Sequence, residues 1–82
     1  MQGEQLEKLF RSNMRNRRNE LGLTQAEVSQ LSGIPQPRVS ALERGTMAPS
    51  ITTIAKIAEA LRCPPSALLS AESAELAGAK NS

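Results

Sequence analysis

The stretch TQAEVSQLSGIPQPRVSALERG runs from Thr24 to Gly45. It holds two short segments with apolar residues at helical spacing, a glycine between them, and prolines where the second segment begins. Thr24-Gln-Ala-Glu27 is a capping-box pattern: the Thr24 hydroxyl accepts from the Glu27 N–H, and the Glu27 carboxylate reaches back to the Thr24 N–H. Val28 and Leu31 form the apolar stripe of that helix, and Ser29 is small enough to let a second helix come close. Gly33 is expected to end it in the left-handed conformation. The next helix is expected from about Gln36 to Arg44. Gln36 takes the N-cap or first position, and Pro37 sits just inside, where a missing N–H has no intrahelical partner to lose. Val39 and Leu42 point inward and Gly45 is the stop.

On either side of this stretch the pattern stays helical. Residues 4–21 read as a first helix, with Leu6, Phe10 and Met14 every fourth residue, Leu9 and Leu21 widening the stripe, and Gly22 as its end. After a loop from Thr46 to Pro49, Ser50 caps a fourth helix, which places Ile51, Ile54, Ala58 and Leu61 on one face with Ala55 and Ile57 beside it. A short fifth helix starts near Pro65 and turns Leu68 and Leu69 inward or to a partner. From Ala71 the chain is poor in apolar residues, so a frayed end and then disorder are expected. The expected organisation is residues 1–3 flexible, one all-α domain of five helices over 4–70, and a tail over 71–82.

Composition narrows the possible functions. The chain has 82 residues and a net charge of +2. It has one aromatic residue, Phe10, so the core is built from aliphatic side chains, which favours helix over strand. A lone cysteine, Cys63, excludes an intrachain disulfide and suits the cytoplasm; with no histidine, a zinc site is not expected. No apolar run is long enough for a signal peptide or a membrane span. Lys8, Arg11, Arg15, Arg17 and Arg18 fall within eleven residues that contain no acid. Such a run is either a solvated helix face or an anion-binding surface. An enzyme is not expected: there is no Gly-rich phosphate loop, and the serines have no evident base. No cofactor is implied.

The spacing from Gln25 to Arg44 meets the needs of a helix-turn-helix. Ser29 stands where the helices touch, Gly33 follows four residues later, and Val28, Ile34, Val39 and Leu42 fill the angle. The run RRNELGLTQAEVSQLSGIPQPRVSALERG, followed by PSITTIAKIAEALRCPPSALL, resembles the Xre/Cro family of phage-repressor-like regulators over roughly residues 6–70. The resemblance implies five helices, the third in the major groove of DNA, and dimers on two-fold operators. It implies a buried ion pair between Arg18 and Glu43 that ties helix one to helix three, a phosphate contact from Gln25, and base-facing positions at Gln36, Pro37 and Ala41, flanked by Ser40 and Arg38. The chain departs from the family pattern at Ser29, Pro37 and Pro64.

The residues themselves support the same reading. Gln36, Ser40 and Arg44 recur at helical spacing, as do Pro37 and Ala41, on the side opposite Val39 and Leu42. A glutamine near a helix N-terminus can pair with adenine N6 and N7, and Pro37 and Ala41 offer apolar contact to a thymine methyl. The plainer alternative is that Gln36 and Pro37 only start the helix. Base contacts are thus expected from Gln36, Pro37, Ser40 and Ala41, and phosphate contacts from Gln25, Arg38, Arg44, Arg15 and Arg11. A homodimer on a palindromic site is expected, through helix five and the end of helix four. There Leu61, Leu68 and Leu69 are either partly exposed for a partner or part of the core. An antitoxin that blocks a toxin protein and regulates its own operon is the competing role.

Overall fold

The structure is a computed structural model that describes residues 3–71. The expected flexible start and tail lie, apart from Gly3 and Ala71, outside the described residues. The chain forms α1 (Gly3–Glu20), α2 (Gln25–Ser32), α3 (Gln36–Arg44), α4 (Ile51–Ala60) and α5 (Pro65–Leu68), with no strand among the described residues. The fold is all-α, as expected. α1 packs against α3 and α5, α2 against α3 and α4, and α4 against α5. Phe10, Met14, Val28, Ile34, Val39, Leu42, Ile57, Ala58, Leu61 and Leu68 form one buried cluster.

Four apolar expectations need correction, the first being Leu6, which opens the expected α1 stripe and is exposed. Leu61 and Leu68 are not available to a partner: they are 0% and 1% exposed. α5 is packed against both α1 and α4, and that closes it over the core. Leu69 is only half-buried and rests against the same cluster. Leu31 is 61% exposed, because Val28 and Ile34 already fill the angle with α3 and the last turn of α2 projects past them. Ile51 opens α4 and is 87% exposed; the buried face of that helix begins one turn later and runs through Ile57, Ala58 and Leu61.

Helix ends set the rest of the geometry. The capping box at Thr24 is complete, with Glu27 N–H donating to Thr24 Oγ1 at 3.1 Å and Thr24 N–H to Glu27 Oε1 at 2.9 Å. Ser50 caps α4 by accepting from Thr53 N–H at 3.1 Å. α3 ends in a Schellman motif: Thr46 N–H reaches Ala41 O at 3.1 Å while Gly45 takes φ +78°. α4 ends the same way, with Cys63 N–H on Ala58 O at 3.0 Å, but the left-handed position is held by Arg62 at φ +57°. α5 has no side-chain cap; Pro64 precedes it with extended backbone.

Candidate nucleic-acid interface

The turn between α2 and α3 is fixed by two serines. Ser29 Oγ donates to Ile34 O at 2.6 Å, and Ile34 N–H donates to Ser32 Oγ at 3.2 Å. Both backbone groups of Ile34 are therefore satisfied within the turn while its side chain is buried. Ser29 is thus more than a small residue at a crossing; it ties α2 to the turn.

α3 is anchored at its C-terminal end. Glu43 is 2% exposed. Arg18 meets its carboxylate with two donors, Nε to Oε2 at 2.7 Å and Nη2 to Oε1 at 3.0 Å, and Arg18 Nη1 donates to Leu23 O at 2.9 Å. Hydrogen bonding to Glu43 raises the Arg18 pKa above its already high ordinary value, against the lowering by burial, so the guanidinium stays charged. Arg15 Nη2 donates to Glu43 O at 3.0 Å, and its Nε lies 3.9 Å from Glu43 Oε1. The Arg11 guanidinium passes through the space a Cβ on Gly45 would occupy. Glycine is favoured there for its positive φ, and a Cβ would only displace the end of the flexible Arg11 side chain. Three members of the basic run therefore converge on the end of α3, where the helix dipole is negative.

A fourth member, Arg17, does the same for α4. Its Nε donates to Leu61 O at 2.9 Å and Nη2 to Arg62 O at 3.2 Å, two carbonyls left over at that helix end. Asn13 does it for α5: Nδ2 donates to Leu68 O at 2.9 Å and to Ser70 O at 3.0 Å. Neither role was anticipated. Asn13 carried a signal, since it is a polar residue on the buried side of α1 three positions after Phe10. Arg17 carried none beyond its charge. Much of the basic run thus faces the protein's own carbonyls, a third outcome beside a solvated face or an anion site.

The opposite side of α3 is open. Gln36, Pro37, Arg38 and Arg44 are exposed, and Ser40 and Ala41 are half-buried, while Val39 and Leu42 are fully buried. Pro35 is the N-cap and makes no side-chain capping bond, so Gln36 is the first helical residue and Pro37 the second. Arg44 Nη1 donates to Ser40 Oγ one turn back along this side. Gln25, at the start of α2, is half-buried, and its Nε2 donates to Glu43 Oε1 at 3.3 Å. The same carboxylate that anchors α3 thus also orients Gln25. Arg15 and Arg11 are turned toward the end of α3, as described, rather than toward the open side. Among the described residues no group of acids, cysteines or histidines gathers that could hold a metal, and no helix is long and apolar enough to cross a membrane.

Comparison with known proteins agrees with this geometry. A helix-turn-helix family profile matches residues 14–68. The uncharacterized HTH-type transcriptional regulator y4dJ of Sinorhizobium fredii is 45% identical over 56 residues, which are 68% of this chain and 73% of that protein. An uncharacterized HTH-type transcriptional regulator of Methanothermobacter thermautotrophicus is 41% identical over 52 residues, 63% of this chain and 75% of its own. No solved structure matches the chain. With a serine-locked turn, a third helix tied down at one end and open along one side, and a match across most of its length, the chain belongs to the Xre family of helix-turn-helix transcriptional regulators.

Proposed function

We propose that the protein binds double-stranded DNA sequence-specifically as a homodimer on a palindromic operator and acts there as a repressor, with the open side of α3 in the major groove. The observation that carries this reading is the asymmetry of α3. Its C-terminal end is held by Arg18, Arg15 and the Glu43 carboxylate, while Gln36 and Pro37 stand outward at the other end, which has no side-chain cap, and the half-buried Ala41 lies between. A rigid helix with a short-sided outward edge fits a groove about 12 Å wide. Gln36 pairs with adenine, and Pro37 and Ala41 lie against a thymine methyl. Gln25, steadied by Glu43, and Arg38 contact phosphates and fix the register. Arg11, passing over Gly45 at the end of α3, is a further phosphate contact.

Dimerisation follows from affinity. One small module makes few phosphate contacts, and two copies on half-sites about 34 Å apart combine their contacts. The dimer surface lies outside Leu61 and Leu68, which are core.

Binding isotherms on a duplex selected from a random pool test the assignment. Gln36→Ala costs about 1–3 kcal/mol on the preferred duplex and relaxes choice at one base pair. Arg38→Ala weakens every sequence alike and lowers the salt slope by about one. A uniform loss from Gln36→Ala together with a base-specific loss from Arg38→Ala would overturn the assignment.

A further inference from the structure

The arginines of this molecule divide by what they touch. Arg15, Arg17 and Arg18 spend donors on backbone carbonyls or on the Glu43 carboxylate, and so belong to the fold. Arg44 does not. It is exposed in the last turn of α3, and its Nη1 donates to Ser40 Oγ, one turn toward the N-terminal end on the same outward side. That bond lays the guanidinium along the helix instead of away from it. Spacing alone would make Arg44 a phosphate contact, which calls for a side chain reaching out to the groove wall.

Resting on the DNA-binding reading, we infer that Arg44 is a specificity-determining residue that reads a guanine, and that Ser40 positions it. A guanidinium carries five N–H donors in a rigid fork, and one of them goes to Ser40. The remaining donors match O6 and N7 of guanine as a bidentate pair. The hydroxyl biases the fork toward this side of the helix before DNA arrives, so less rotamer freedom is lost on binding. The neighbouring outward residues, Pro37 and Ala41, are short and leave space for the guanidinium against the bases. Gln36 supplies an adenine contact on the same edge, and Arg44 supplies the guanine contact that edge otherwise lacks.

The test is selection from a random duplex pool with the full chain and with Arg44→Ala, Ser40→Ala and Ser40→Thr. The wild-type consensus holds a guanine at one fixed position in each half-site. Replacing that guanine costs the wild type roughly tenfold to a hundredfold in affinity, and replacing it by 7-deazaguanine, which lacks N7, also weakens binding. Both penalties vanish in Arg44→Ala, while the preference set by Gln36 is kept. Ser40→Ala weakens the guanine preference, and Ser40→Thr, which keeps the hydroxyl, retains it. Each preference is a ratio within one protein sample, so partial unfolding does not imitate the result. An Arg44→Ala protein that loses the same factor on every sequence, with its consensus intact, overturns the inference alone. A Ser40→Ala protein with full guanine preference overturns the positioning role. A wild-type chain that retains no duplex overturns the DNA-binding reading and this inference with it.

Discussion

Glu43 is the residue on which the most interactions converge. Its buried carboxylate accepts from Arg18 and Gln25, and its backbone carbonyl accepts from Arg15, so α1, α2 and α3 all meet there. The bidentate geometry and the low exposure of both partners put this pair outside the class of surface ion pairs that contribute little. Desolvation of a buried carboxylate and a part-buried guanidinium is costly, and their attraction offsets it only while both are present. Arg18→Ala should cost about 3–5 kcal/mol, because the buried Glu43 carboxylate loses both guanidinium donors; Glu43→Ala should cost less, because the part-buried Arg18 keeps its bond to the Leu23 carbonyl. Arg18→Met combined with Glu43→Leu should recover much of that loss. Chemical denaturation of the single and double variants measures this; equal, additive losses would mean the pair is not coupled. Weakened DNA binding in either single variant therefore reports lost stability before it reports lost contact with DNA.

At the scale of the helices, α1 supplies what the other helices lack. Short helices leave carbonyls unpaired at their C-terminal ends. Asn13 serves α5, Arg17 serves α4, and Arg15 serves α3. The end of α4 still carries a cost, since Arg62 adopts φ +57° without being glycine. An L-residue pays about 1–2 kcal/mol for that conformation. The Arg62 carbonyl, not its side chain, is the group Arg17 uses, so the side chain is dispensable. Arg62→Gly should therefore raise stability by about 1 kcal/mol after the added freedom of the unfolded chain is counted, seen as a melting temperature higher by about 4–8 °C. A melting temperature that falls would mean that the Arg62 side chain holds that turn.

The start and end of α2 and α3 were legible because local chemistry marks them: a capping box at Thr24, glycines at 33 and 45, a proline just inside α3. The end of α4 was not, because a left-handed arginine has no sequence signature. Periodicity found Phe10 and Met14 in α1 but overextended the stripes of α1, α2 and α4, where Leu6, Leu31 and Ile51 stand on terminal turns beyond the core. It left Leu68 and Leu69 undecided between core and interface, since a four-residue helix has no periodicity to read, and Leu61 with them, since an apolar face does not say what covers it. The open edge of α3 could be read from spacing; the Ser40 bond to Arg44 and the inward turn of the basic run required the packed molecule.

As a whole molecule the described residues measure 29 × 28 × 21 Å. On the proposed dimer reading, two such bodies on half-sites about 34 Å apart would stand side by side along one face of the duplex. Core residues Leu61 and Leu68 hold α5 onto α1 and α4, so the orientation of α3 is passed through one packed body to any contact between copies. Methylation interference on a selected duplex tests the placement of α3 most directly, because dimethyl sulfate marks guanine N7 in the major groove and adenine N3 in the minor groove. Interference at guanine N7 in two clusters about one helical turn apart is the predicted result. Interference confined to adenine N3, or no interference at either, would contradict it.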